Sequence, residues 1–318
     1  MGVYLCGLSN IKSGVCQEDC KFCTQSVHWK ANIPRFRWKG IIQLEREVRE
    51  LLKWGVEGFC LVTSGKGIEK EKEVEQIAHL FYHLHKRFPT LKLIGCFGIV
   101  TEEALREWKS AGMVAYNHNL ESSFQFYPNL CTTHRWEERL ETCYRVKKVG
   151  LELYSGGIFG VGEGEEDWYS LFKTLQSLNP ETVPLNFFIP NRALPITPTH
   201  SFQTALQIIS IARNHFPNSK IMLAGGRELL FGEKWWLGIE QGANGIILGN
   251  YLTTPGANPA KDWKILLTKG YRKKPPLALT DAGLDAELDA GLDTKPILAS
   301  EPIKTKSVSS PNKEFNRF

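Results

Sequence analysis

The stretch "QLEREVRELLKWGVEGFCLVT", residues 43–63, decides the architecture. Its first part sets Leu44, Val48, Leu51 and Leu52 on one face of a helix that gives out at Gly55. Its last part, "GFCLVT" (58–63), is a short unbroken apolar run, as expected of a strand buried on both faces. An amphipathic helix feeding a buried strand is one unit of a βα repeat. Outward from it, similar runs stand at "VYLCGL" (3–8), "KLIGCF" (92–97), "MVAYNHN" (113–119) and "LELYSGG" (151–157). Three more follow at "VPLNFFI" (183–189), "KIMLAGG" (220–226) and "GIILGN" (245–250). Helical stretches lie between them. "TEEALREWKSAG" (101–112) opens on a Thr cap and closes at Gly112, and "HRWEERLETCYRVKKVG" (134–150) and "TALQIISIARNHF" (204–216) behave alike. Eight strands with helices between them predict an α/β fold, a (β/α)8 TIM-type barrel over residues 1–271. From 272 to 318 the alternation fails, and the acidic near-repeat "DAGLDAELDAGLD" (281–293) with a Lys/Ser/Pro-rich end predicts a low-complexity, disordered tail.

Composition narrows the partners. Of 318 residues, 42% are hydrophobic, enough for a sizeable core, and the net charge is only +5 with Lys and Arg scattered. No basic patch interleaved with aromatics marks a nucleic-acid partner. No apolar run reaches the length of a membrane helix, and the N-terminus has no secretory pattern, so a cytoplasmic protein is expected. In a reducing compartment eight cysteines point to metal or redox sites rather than disulfides. Cys6, Cys131 and Cys143 stand isolated and read as plain buried thiols.

The other cysteines carry chemistry. "VCQEDCKFCTQS" (15–26) places Cys16, Cys20 and Cys23 in a C-x3-C-x2-C array directly after the first strand, at the mouth where barrel enzymes keep their active sites. A structural zinc needs a fourth ligand, for which only His28 lies close in sequence. A 4Fe-4S cluster on three thiolates instead leaves one iron open, able to chelate the amino and carboxylate groups of S-adenosyl-L-methionine. With the aromatic Phe22 just before the last cysteine, the array resembles that of the radical S-adenosylmethionine superfamily.

Further motifs sharpen the resemblance. "SGVCQEDCKFCTQS", "YNHNLE", "TTHRWEERLET", "SGGIFGVGE", "VPLNFF", "AGGRE" and "LTTP", spread from Gly14 to Pro255, are similar to biotin synthase. That resemblance implies radical sulfur insertion into dethiobiotin to give biotin, with an auxiliary 2Fe-2S cluster as sulfur source. It implies that Cys16, Cys20 and Cys23 hold the radical-generating cluster, and that Asn117 and Asn186 bind the ureido group of dethiobiotin with Asn119 between the two ligands. Glu121 stands where the family has an Asp on the ribose hydroxyls, and Arg139 would face the carboxylate of S-adenosylmethionine. The "GIFGVGE" turn ending in Glu163 resembles the adenine-side loop. An electron-donor protein such as flavodoxin or ferredoxin and a homodimer are implied as partners.

The match breaks at the auxiliary cluster, which the family holds with three cysteines and one arginine. Cys60, Cys96 and Arg227 are taken for three of those positions, but the residue before "SGG" is Tyr154. Three outcomes stay open: Tyr154 ligates as phenolate, Cys131 or Cys143 swings in, or the cluster is modified, labile or absent. The last leaves room for a related radical enzyme with another small-molecule substrate or impaired sulfur insertion. A zinc-binding structural protein without catalysis is the alternative from a different class.

Overall fold

The computed structural model describes residues 2–272; the expected tail lies outside them except for Arg272. The apolar runs become nine parallel strand segments: β1 (Tyr4–Lys12), β2 (Gly58–Thr63), β3 (Lys92–Cys96), β4 (Ala115–Asn117), β5 (Glu152–Tyr154), β6 (Gly157–Phe159), β7 (Thr182–Phe187), β8 (Lys220–Leu223) and β9 (Gly245–Ile247). Their pairing runs β5-β4-β3-β2-β1-β9-β8-β7-β6, and β5 also pairs with β7, which closes the ring. Nine segments make eight staves, because β5 and β6 are two halves of one. The expected strand at 151–157 is therefore broken at Ser155–Gly156. The cause is local. Pro184, opposite the break, has no N–H to give to a ladder, and a side chain at Gly156 would start 1.9 Å from the Pro184 carbonyl oxygen.

Helices coat the ring: α1 (Ile41–Leu52), α2 (Glu71–Arg87), α3 (Glu102–Ser110), α4 (Trp136–Val149), α5 (Glu165–Leu178), α6 (Phe202–His215), the short α7 (Arg227–Phe231) and α8 (Trp236–Glu240), and α9 (Pro259–Thr268). Their ends follow sequence chemistry. Thr101 accepts a hydrogen bond from the Ala104 N–H at the start of α3, and Ser201 caps α6 through the Thr204 N–H. Gly150 ends α4 in the left-handed region, at φ 74°. Helix α1 stops at Leu52, three residues before the expected end. Helices α2 and α5 fill gaps that the sequence left unassigned.

Two apolar layers result. One packs the helices onto the outside of the staves and includes Leu5, Phe59, Leu61, Leu93 and Leu153. The other fills the inside of the ring with Tyr4, Cys6, Cys60, Val62, Ile94, Tyr154, Met222 and Ile247. Alternation along β1 sends Leu5 out and Tyr4 and Cys6 in, as a pleated strand must. Tyr4 and Tyr154 plug the end of the ring where the strands begin. Gly58 leaves room there for the Tyr4 hydroxyl, since a side chain at that position would start 2.0 Å from it.

Candidate active site

At the opposite end, where the strands finish, a cavity of about 340 Å³ opens. Its wall combines the cysteine loop (Phe22, Cys23, Thr24, Gln25) with strand residues Cys6, Cys60, Cys96, Asn117, Tyr154, Asn186 and Met222. Residues more than 200 positions apart thus face one space. Asn119 and Glu121, from the segment after β4, line it as well.

The loop is shaped by its own backbone. Val15 takes the left-handed region at φ 56°, and Cys16 N–H donates to the Gln25 carbonyl while Val27 N–H returns to the Cys16 carbonyl. This pins the ends of the array together. Burial pushes the thiols of Cys16 and Cys23 up, the latter to about 11, so a metal centre is what would hold them as thiolates. Tetrahedral zinc, with Zn–S near 2.3 Å, draws its ligand atoms to within about 4 Å of one another. Among the described residues the three loop sulfurs do not gather within 4.8 Å. His28, the expected fourth zinc ligand, turns its Nε2 to the Gln17 carbonyl at 3.0 Å. The spread of the three loop sulfurs fits a polynuclear cluster, whereas the donors that do lie within 4.8 Å of one another are Cys20, Cys131 and His134.

Behind Cys20 stands a group that the spacing did not reveal. The Cys20 thiol donates to Cys131 Sγ at 3.5 Å, and Cys131 Sγ lies 3.2 Å from His134 Nδ1. His134 is fixed between Glu18 Oε2 (2.6 Å) and the Tyr127 hydroxyl (2.7 Å). The hydrogen bond from Cys20, with help from His134 and Thr133, draws the Cys131 thiol down to about 4. Cys131 is therefore a polar neighbour of the cysteine array and not an isolated buried thiol. Asp19 closes the back of the loop by accepting from the N–H groups of Thr132 (2.8 Å) and Thr133 (3.2 Å).

The segment after β4 makes a second polar wall. Glu121 adopts φ 68° and pairs through its backbone with Gly157 of β6. Arg139 on α4 donates Nε–H to the Asn119 carbonyl (2.7 Å) and Nη2–H to Glu121 Oε1 (3.2 Å). Burial raises the Glu121 carboxyl, and the Arg139 charge opposes that rise. Asn119 Oδ1 accepts from Gly156 N–H at 3.1 Å. Asn117 Nδ2 donates to Cys96 Sγ at 3.3 Å, and Asn186 bridges the Gly157 carbonyl (3.2 Å) and the Gly225 N–H (3.1 Å). Glu163 is spent on its own turn, accepting from the N–H groups of Gly160 (2.7 Å) and Val161 (2.8 Å).

Of the expected ligands of an auxiliary cluster, Arg227 sits elsewhere and Tyr154 turns its hydroxyl away. Arg227 does not line the cavity. It opens α7 and is fully buried, with Nη1 and Nη2 donating to both carboxylate oxygens of the buried Asp262 (3.0 and 2.9 Å) and its guanidinium 4.9 Å from the centre of the Trp235 ring. The inward position of β8 is Met222. Tyr154 does face the interior, but its hydroxyl donates to Glu152 Oε2 at 3.3 Å. Glu152 begins β5 and takes the Lys92 ammonium at 2.6 Å, so the phenol points toward the plugged end of the ring. Burial also holds that phenol well above its ordinary value, away from phenolate. Nor does Cys143 reach the cavity; its thiol lies against the His118 carbonyl at 3.4 Å.

The sequence matches the radical SAM superfamily over residues 10–175 and the biotin and thiamin synthesis associated domain over residues 184–272. Biotin synthase of Nautilia profundicola is 47% identical over 269 residues, covering 85% of this chain and 97% of that one. The Campylobacter jejuni biotin synthase is 45% identical over 272 residues, covering 85% and 98%. This chain belongs to the biotin synthase family. Among solved structures, methylornithine synthase (PylB) superposes with a TM-score of 0.66 at 20% identity, covering 77% of this chain and 72% of that one. The FeFe-hydrogenase maturase HydG from Carboxydothermus hydrogenoformans gives 0.73 at 15% identity, covering 85% and 67%. These two share the barrel. Among the described residues no helix is long and apolar enough to cross a membrane.

Proposed function

We propose that this chain is a radical S-adenosylmethionine enzyme that converts dethiobiotin to biotin inside the cavity at the strand ends. One observation carries the assignment: in a chain of this family, the cysteine loop and the strand thiols Cys60 and Cys96 open onto the same cavity. Cys16, Cys20 and Cys23 would hold a 4Fe-4S cluster. When bound, that cluster supplies the electron that splits S-adenosylmethionine into methionine and a 5′-deoxyadenosyl radical. An auxiliary cluster on Cys60 and Cys96 would supply the sulfur.

The residues then divide the remaining work. Glu121 and Arg139, already paired, offer a carboxylate to ribose hydroxyls and a guanidinium to the methionine carboxylate. Asn119, between them and β6, orients that wall. Asn117 and Asn186 present amide groups that both donate and accept, which suits a neutral urea. Phe22, among the apolar residues at the rim, keeps water from the reacting radical. Arg227 has no part in this assignment, because its guanidinium is committed to Asp262. An electron donor of the flavodoxin or ferredoxin type is needed to reduce the cluster, and a homodimer and a cytoplasmic setting complete the proposal.

The test is anaerobic incubation of the reconstituted enzyme with S-adenosylmethionine, a reductant and dethiobiotin, with products read by mass spectrometry. 5′-Deoxyadenosine together with biotin is expected. Deoxyadenosine formed without biotin, at every substrate level, would overturn the sulfur-insertion step.

A further inference from the structure

We propose that Cys6 is the third thiolate of the inner iron–sulfur site, standing in for the cysteine that Tyr154 replaces. The proposal rests on the assignment of an auxiliary cluster to the cavity. The geometry comes from three neighbouring staves. In register, Leu8 of β1 faces Cys60 of β2, and Val62 of β2 faces Cys96 of β3. Cys6 is therefore related to Cys60 as Cys60 is to Cys96, one strand over and two residues along. Diagonal neighbours of this kind are about 7–8 Å apart at Cα, within reach of side chains that lean toward each other. All three cysteines line the one cavity, and Cys6 is 2% exposed.

Little competes for the Cys6 thiol. Its register partners are Gly58 on one side, which has no side chain, and Ile247 on the other, which is apolar. It donates to the neighbouring Gly7 carbonyl at 3.4 Å, a weak sulfur contact, and the Tyr4 hydroxyl lies close by. Other thiols are excluded by place: Cys131 lies against Cys20, and Cys143 lies outside the ring. Tyr154 and Arg227 are engaged as described above. Of the described residues facing the cavity, that leaves Cys6, Cys60 and Cys96 as its thiols apart from Cys23 of the loop.

The spacing also selects the kind of metal. Cys6, Cys60 and Cys96 do not converge within 4.8 Å, as one tetrahedral ion would require. Thiolates spread over three strands suit a cluster of two or more irons, each taking its own ligand. Three thiolates also match the number of cysteines that the family resemblance implies. Met222, a soft thioether on the far wall, is available to the remaining position.

Iron and acid-labile sulfide should be counted on anaerobically reconstituted wild type, Cys6→Ser and Cys60→Ser. Wild type should hold more than the four irons of one cubane, and both variants should lose the excess while keeping four. Electron paramagnetic resonance of the reduced loop cluster, with its shift on adding S-adenosylmethionine, should survive in both. Wild type with only four irons would remove the auxiliary cluster itself. Full iron in Cys6→Ser with loss in Cys60→Ser would reject Cys6 while leaving that cluster standing. Should Cys6→Ser fail to fold, iodoacetamide labelling of loaded and chelator-stripped wild type decides. Protection of Cys6 only when loaded supports the proposal, and equal labelling in both states overturns it.

Discussion

Two sets of three cysteines meet at one cavity, the loop set through Cys23 and the strand set through all three members, and they are built in opposite ways. Cys16, Cys20 and Cys23 come from eight consecutive residues of one loop, tied end to end by backbone hydrogen bonds. Cys6, Cys60 and Cys96 come from three strands and meet only because the ring closes. The loop set is backed by ionisable groups, with Cys131, His134 and Glu18 behind Cys20. The inner set is packed among apolar side chains such as Val62, Ile94 and Ile247. A site carried on one segment can form early and be rebuilt after loss. A site assembled across strands exists only in the finished barrel, and its ligands can migrate from one strand to another while the cavity stays the same.

The sharpest way to break this comparison is to remove one thiol from each set. Cys20→Ser should lower 5′-deoxyadenosine formation by about a thousandfold or more, as expected when a covalent or electron-transfer centre is lost (roughly 4 kcal/mol of barrier per thousandfold). Cys60→Ser should abolish biotin yet leave S-adenosylmethionine cleavage within a few-fold of wild type, followed by liquid chromatography of both products. If Cys60→Ser stops cleavage as completely as Cys20→Ser, the two sets are not separate.

Arg227 offers the next test. Arg227→Met strands the carboxylate of Asp262 in the core and should cost about 3–5 kcal/mol, measured by urea denaturation of the metal-free chain. Arg227→Met with Asp262→Leu should recover most of that loss and keep its full iron content. Loss of iron in this double variant would restore Arg227 as a ligand. A smaller change is expected from Tyr154→Cys, which exchanges a phenol aimed at Glu152 for a thiol facing the cavity. Iron and sulfide per chain should stay at the wild-type count, because Cys6 already completes the inner site, and a rise in the variant would mean that the wild-type site lacks a ligand.

The smallest effect is set between the two walls. His118 is buried and stays neutral, because burial holds its imidazole well below the usual value. A group whose pKa is lowered on folding stabilises the native state above its unfolded value, near 6.5, and that contribution is lost as the pH falls below it. Replacing His118 with Phe should flatten the fall in stability between about pH 6.5 and 5, by at most about 1.4 kcal/mol per pH unit. Denaturation at several pH values would show it, and an unchanged slope would mean that His118 is charged in the folded protein.

Much of this was written along the chain. The βα rhythm, the caps at Thr101 and Gly150 and the loop cysteines depend on neighbours a few residues away, so spacing reveals them. The break at Gly156 escaped because it arises from Pro184, 28 residues on, across the ladder. Cys131 and His134 escaped because nothing local ties residue 131 to residue 20. Cys6 reads as plain burial because it stands alone in sequence, although the alternation of Tyr4, Cys6 and Leu8 puts it on the inner face of the first strand. Arg227 answers to the family arginine by its motif alone. Which way a side chain turns after the last strand residue is decided by the helix it enters, and in this chain α7 carries it away from the cavity toward Asp262.

The plugged end of the ring has a consequence for traffic. Tyr4 and Tyr154 close one side, with the Lys220 ammonium 5.3 Å over the Tyr4 ring, so among the described residues the way into the chamber is the mouth where the strands finish. Whatever seats itself deepest has to arrive first and depart last. A molecule held at the rim by Phe22 and the loop would then act as a cork, detaining the inner guest until the outer one has left.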